Sequence, residues 1–200
     1  GRYSYLNQPR IAKWNLARFA ECLIPLIDKD EEKSLKIATE IIDNFQNIYE
    51  EKWLNMMRDK LGLFGNDKND KVLIDDLLNW MEKNKADYTN TFCYLMNIKT
   101  NNTEIYNNKD YIDWSNRWQK RILVNNNSKD KSLNLMKKSN PVVIPRNHKV
   151  EEALKAANEN NIELMNKLLS ILKKPYENQS NIEDFQSPSD NKEYQTFCGT

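Results

Sequence analysis

Apolar residues recur at three- and four-residue steps along most of this chain, and strict alternation never persists beyond a few positions. The first spacing lines one face of a helix, whereas a half-buried strand needs period two. The chain is therefore expected to be all-α. A first helix reads from Ile11 to Ile27, where Ile11, Trp14, Phe19, Leu23 and Ile27 are flanked by Leu16, Ala20, Ile24 and Leu26. An apolar face this broad predicts burial on more than one side. Pro9 suits the first turn, Asn7 is a cap candidate, and Pro25 is expected to bend or fray the last turn.

A longer pattern runs from about Glu31 to Leu61 through Leu35, Ala38, Ile41, Ile42, Phe45, Ile48, Tyr49, Trp53, Met56 and Met57. It reads as one helix, or as two with a break near Glu50. Asp30-Glu31-Glu32 match the positive end of the helix dipole, Arg58 and Lys60 the negative end, and Gly62 is the expected C-cap. Asp70 is read as the cap of a helix carrying Val72, Leu73, Leu77, Trp80 and Met81. A short helix follows Asp87-Tyr88-Thr89, with Phe92, Leu95 and Met96 facing inward.

Asn101 to Asn108 reads as an exposed loop. Tyr111, Trp114, Trp118 and Leu123 then mark an amphipathic helix with Arg117 and Arg121 as a basic stripe. Asn125 to Asp130 reads as a second loop, Leu133 to Lys138 as a short helix, and Pro141 to His148 as extended. Two helices, Glu151 to Glu159 and Ile162 to Lys173, precede a polar, irregular stretch from Pro175. The expected organisation is a helical region over residues 1–174 and an irregular tail over residues 175–200.

Composition narrows the function. Lys and Arg number 30 against 29 Asp and Glu, a net charge of +1, which supplies no global field for nucleic acid or an anionic membrane. Mean hydropathy is −0.85, and no apolar run approaches the roughly 20 residues that cross a bilayer. No nucleic-acid or membrane partner is expected. Three widely spaced cysteines, Cys22, Cys93 and Cys198, fit neither a disulfide framework nor a zinc site, so reduced thiols are the default.

Few residues invite chemistry. With only 4 Gly there is no phosphate-cradling loop, and Gly62-Leu63-Phe64-Gly65 reads as a helix stop. No transition-metal spacing occurs, and nothing in the pattern joins His148 to a cysteine as a nucleophilic pair. Arg2, Arg10, Lys13 and Arg18 cluster near the start, where structural anchoring is favoured over phosphate binding. Trp114 and Trp118 are read as core rather than as a base-stacking stripe. Cys198, flanked by Phe197 near the end of a polar segment, has two readings: an accessible thiol suited to reversible redox chemistry, or an inert thiol packed beside Phe197.

Five blocks, in consistent order, together resemble the selenoprotein O (SelO) family of protein adenylyltransferases. They are Gly1-Arg2-Tyr3-Ser4-Tyr5-Leu6-Asn7-Gln8-Pro9-Arg10 with the following Ile11 to Arg18, Asp87 to Phe92, Asn140 to Leu154, Lys174-Pro175-Tyr176, and Thr196 to Thr200. The resemblance implies a protein-kinase-like α+β parent fold, of which this chain is the C-terminal helical portion. It implies an enzyme that uses ATP, held in a flipped orientation, and Mg²⁺ to place AMP on hydroxyl side chains of protein substrates.

In that family the glycine-rich segment, the ATP-binding Lys and Arg, the catalytic Asp and the metal ligands precede the block at Gly1. No catalytic, cofactor-binding or metal residue is therefore expected here, and the chain alone is expected to bind ATP weakly and to be inactive. The expected partner is the N-terminal kinase-like portion. Arg2, Tyr3, Asn7 and Gln8 match the segment leaving the active site and are candidates for supporting it. Cys198 matches the family's near-terminal Cys or selenocysteine, although Cys-Gly-Thr departs from the Ser-containing endings of some members. That ending points to a bacterial cytoplasm, with a mitochondrion as the eukaryotic counterpart. The competing class is a free-standing α-helical interaction module, which would carry a sealed surface, whereas part of an enzyme would expose an apolar face.

Overall fold

The computed structural model describes residues 7–100, 102–124 and 128–189, and every regular element among them is helical. The chain divides between Met56 and Met57 into two compact units.

The first unit holds α1 (Gln8–Ile27), α2 (Glu31–Asp43) and most of α3 (Phe45–Lys60). Pro9 lies in the first turn of α1, and Asn7 occupies the cap position without a side-chain capping bond. Pro25 is accommodated inside the helix, which continues to Ile27. Asp30 caps α2 by accepting from the amides of Glu32 and Lys33. The α1–α2 turn is locked by fully buried Ser34, whose hydroxyl accepts from Asp28 N at 3.0 Å and donates to Asp28 O at 3.1 Å. The break between α2 and α3 falls at Asn44, not near Glu50. Asn side chains offer the backbone local alternatives to the helix ladder, and here Asn44 Oδ1 accepts from Asn47 Nδ2.

The second unit begins with the last turn of α3 and continues through α4 (Asp70–Asn84), α5 (Tyr88–Leu95), a 3-10 turn (Thr103–Asn107) and α6 (Lys109–Ile122). It then adds α7 (Lys129–Ser139), α8 (Asn147–Asn158), α9 (Glu163–Leu172) and a single turn, α10 (Glu183–Gln186). Its core joins Leu73, Ile74 and Leu77 of α4 with Phe92 of α5, Trp114 and Trp118 of α6, Met136 of α7, and Val142 and Val143. Tyr94 stacks on Tyr106 at 3.9 Å between ring centres, and Trp80 tilts against Tyr111 at 4.8 Å. Aromatic pairs of this kind add to the gain from burial alone.

The end of α3 is sealed by side chains distant in sequence. Gly62, at φ +68°, lets Leu63 N bond to Arg58 O and Gly62 N to Asp59 O, the paired bonds of a Schellman stop. The remaining carbonyls need donors, since an unpaired buried carbonyl is costly. Asn140 Nδ2 donates to Lys60 O at 2.8 Å, Trp118 Nε1 to Leu61 O at 2.9 Å, and Ser132 Oγ to Gly62 O at 2.7 Å. A methyl group at Gly62 would lie 2.8 Å from Ser132 O.

Several boundaries depart from the sequence reading. Asn69, not Asp70, holds the cap position of α4. The stretch read as an exposed loop after Asn101 contains a 3-10 turn that buries Tyr106. In α6 the last inward residue is Ile122, while Leu123 is 52 % exposed. Ser128 caps α7, which therefore starts earlier than Leu133, and α8 begins at Asn147. After Pro175, Ile182, Phe185 and Gln186 are buried, so the irregular stretch is packed at least that far. Asn97, Asn102, Asn160 and Asn181 adopt positive φ. Asn tolerates this region better than other residues bearing a Cβ, and its abundance suits a chain with so few glycines.

Candidate functional site

Three of the blocks singled out in the sequence meet around the start of α5. Asp87 precedes that helix with extended backbone and caps it, accepting from Asn90 N at 2.8 Å. The same carboxylate receives a bidentate guanidinium: Arg146 Nη1 donates to Oδ2 at 2.5 Å and Nη2 to Oδ1 at 2.8 Å. Arg146 stands at the cap position of α8, so one ion pair ties together the starts of two helices. A planar fork facing a carboxylate is the geometry in which Arg outperforms Lys.

The network continues inward. Arg146 Nη2 and Asn90 Nδ2 both donate to Gln186 O, at 2.9 and 3.2 Å, and Gln186 Nε2 donates to Val142 O at 2.9 Å. Val142 N in turn donates to Pro175 O at 2.7 Å, which brings in the third block. Arg146 Nε is buried without a hydrogen-bond partner. Beside the network a cleft of about 780 Å³ is lined by Glu82, Lys85, Asp87, Tyr88, Asn90 and Tyr106, among others.

Beneath it lie two titratable groups with little water around them. Cys93 is fully buried, its Sγ facing Pro141 O and Val142 O at 3.8 Å. Burial, reinforced by the negative charge of Asp87, pushes its thiol up to about 11, so it is a protonated core residue and a poor nucleophile at neutral pH. Lys60 is 8 % exposed, and its Nζ lies over the rings of Phe92 at 4.5 Å and Tyr88 at 5.4 Å. Burial lowers its pKa, while the ring faces offer the ammonium compensation.

A second ionic centre anchors α4. The Asp70 carboxylate, with no exposed side-chain surface, accepts from Arg58 Nε at 2.7 Å, Arg121 Nε at 2.7 Å, Arg121 Nη2 at 3.1 Å and Asp67 N at 3.0 Å. Burial opposes its ionisation, but the bonds from Arg121, Arg58 and the Asp67 amide outweigh that and hold its pKa below the ordinary value. The basic stripe is therefore occupied within the unit: Arg121 on Asp70, and Arg117 on Asp76 at 2.7 Å. Trp114 and Trp118 are core residues, 2 % and 8 % exposed, as their spacing favours, and Trp114 Nε1 donates to Leu73 O.

Asn7 and Gln8 lie at the start of α1, while Arg2, Tyr3 and Cys198 fall outside the described residues. Cys22 is exposed on α1, and His148 sits in the first turn of α8. Among the described residues no group of three or more His, Cys, Asp or Glu is arranged to hold a metal ion, and no helix is long and apolar enough to cross a membrane. The Asp87–Arg146 pair escaped the sequence reading because its partners are 59 positions apart. The Asp-x-x-Asn capping pattern at Asp87 was the only local signal.

The chain is similar over its whole length to part of several longer proteins. Residues 1–173 match the family described as "Protein adenylyltransferase SelO". Over all of its length the chain is 57 % identical to the protein nucleotidyltransferase YdiU of Pelagibacter ubique, covering 42 % of that relative. It is 46 % identical to the protein of the same name from Nitrosococcus oceani and 48 % identical to that from Clostridium beijerinckii, covering all of this chain and 41 % of each relative. The chain belongs to the SelO family of nucleotidyltransferases. It spans about two-fifths of the length of these curated relatives.

Proposed function

We propose that this chain is the C-terminal helical part of a protein adenylyltransferase of protein-kinase-like fold, acting in a bacterial cytoplasm. The observation that carries the reading is the family match over residues 1–173, together with identity of 46 % or more to nucleotidyltransferases over the whole chain. In the proposed reaction a Ser, Thr or Tyr hydroxyl of a protein attacks the α-phosphorus of ATP. A P–O bond forms to the hydroxyl oxygen, the α–β bridging bond breaks, pyrophosphate leaves, and the hydroxyl proton passes to a base. The carboxylates of Asp70 and Asp87 are occupied by Arg58, Arg121 and Arg146, and binding of ATP and Mg²⁺ is assigned to the rest of the polypeptide. Residues 1–174 would complete the C-lobe, with Arg2, Tyr3, Asn7 and Gln8 supporting the segment that leaves the active site.

Cys198 is proposed as a redox-responsive thiol in the tail 175–200, its partner thiol lying elsewhere in the longer polypeptide. The two thiols would be oxidised to a disulfide by exchange with a low-molecular-weight disulfide, which is reduced to two thiols.

The test is transfer of label from ATP labelled on its α-phosphorus to acceptor proteins, run with the longer polypeptide and with this 200-residue chain. Incorporation is expected from the longer polypeptide only. Label transferred by the isolated chain would overturn the assignment of the active site to the remainder, and no transfer by either would overturn the activity. Cys198→Ser in the longer polypeptide should abolish any oxidation-dependent change in transfer.

A further inference from the structure

The first unit presents an apolar groove that its own three helices leave open. Helix α1 has 20 residues, and none of them is buried. Phe19 is 60 % exposed on α1 and Ile41 63 % exposed on α2. With Leu16, Leu23, Ile42 and Phe45 they line a groove of about 330 Å³. A helix owes most of its stability to packing of its apolar face, and scattered single exposures do not produce a continuous stripe of this kind. A contiguous apolar surface marks a place where another surface sits.

The chemistry of the rim narrows the occupant. Lys13 pairs with Asp43 at 3.6 Å, and Arg18 with Glu21 at 2.6 Å, so these cations are neutralised within the unit. Recognition here is by apolar shape rather than by charge. The relatives carry more than half of their length beyond the part that this chain matches. That additional polypeptide is the one partner whose presence at equal concentration is guaranteed by covalent connection, which removes most of the entropic cost of association.

We propose that the groove between α1, α2 and the start of α3 is the seat of an apolar element from the remainder of the longer polypeptide. This inference rests on the reading of the chain as part of a longer adenylyltransferase. The groove fixes the unit to that remainder through Phe19 and Ile41, while the α1–α2 turn is already held by Ser34.

The experiment uses the longer polypeptide with a benzophenone-bearing phenylalanine analogue in place of Phe19 or, separately, Ile41, and with Glu21 replaced in the same way as a control on the polar face. After irradiation, cross-linked peptides are identified and AMP transfer by the unsubstituted protein is measured in parallel. Phe19 and Ile41 should give intramolecular cross-links to peptides outside residues 1–200, in several-fold higher yield than Glu21. Cross-links to residues 57–200, cross-links between two copies, or yields no higher than at Glu21 would each overturn the proposal. AMP transfer without cross-links to the remainder sinks the docking inference alone; such cross-links without AMP transfer leave the interface standing and sink the enzymatic reading.

Discussion

Arg146 grips Asp87 through two hydrogen bonds of 2.5 and 2.8 Å, and Asp87 simultaneously caps α5. One carboxylate thus serves a helix end and an ion pair at once. Both side chains are largely withdrawn from water, at 11 % and 20 % exposure. Removing the guanidinium leaves a poorly hydrated carboxylate, so Arg146→Ala should cost about 3 kcal/mol. Urea denaturation measures it. Arg146→Lys should recover only a minor part, because an ammonium cannot reproduce the fork.

Gly62 is expected to tolerate no side chain. Gly62→Ala combines a left-handed backbone with a Cβ placed 2.8 Å from a carbonyl oxygen, and should cost about 2–4 kcal/mol. Ser132→Ala, by contrast, loses the donor to Gly62 O and should cost about 1–2 kcal/mol. Thermal unfolding of the two variants should preserve that order.

Asp70 makes stability depend on acid. Its pKa in the folded chain lies below the ordinary value of 3.8, so the folded state binds fewer protons than the unfolded state as pH falls. The stabilisation is present above the unfolded value and is lost as pH drops through the folded one. Asp70→Asn should flatten the stability profile below about pH 4 and cost about 3–5 kcal/mol at neutral pH, where Arg58 and Arg121 lose their shared counter-charge. Unfolding titrations at successive pH values check both limbs.

Cys93 acts at the opposite end of the scale. Its pKa rises from 9.0 to about 11, so its contribution is intact below the lower value and is lost as pH climbs through the upper one. Lys60 works in the other direction: its lowered pKa means that stability is gained as pH rises through its folded value. Cys93→Ala should weaken the alkaline loss, whereas Lys60→Met should remove the opposing gain and steepen it. Alkaline denaturation curves of the two variants should therefore diverge from the parent in opposite senses.

Helical class was legible because every inward face follows the period of a helix, and Asp30, Gly62 and Asp87 announce three of the ends by their chemistry. The break at Asn44 was not, because the apolar recurrences run through it without interruption. Asp70 reads as a cap from its neighbours alone; its actual role depends on Arg121, 51 positions away. The same limit hid the site. Asp87, Arg146, Gln186 and Pro175 are ordinary residues in sequence, and only the packing of α5, α8 and the segment around α10 makes them one network. Trp114 and Trp118 were legible as core, but not their indole bonds to the carbonyls of Leu73 and Leu61.

The closure of α3 also sets an order of events during synthesis. Lys60 O, Leu61 O and Gly62 O obtain their donors from Asn140, Trp118 and Ser132, between 57 and 80 residues later in the chain. As the polypeptide leaves the ribosome from its N-terminus, the end of α3 emerges well before any of these side chains exists. It must wait in water, hydrated and frayed, until α6 and α7 have been made. The helix is thus synthesised well before the side chains that complete its end.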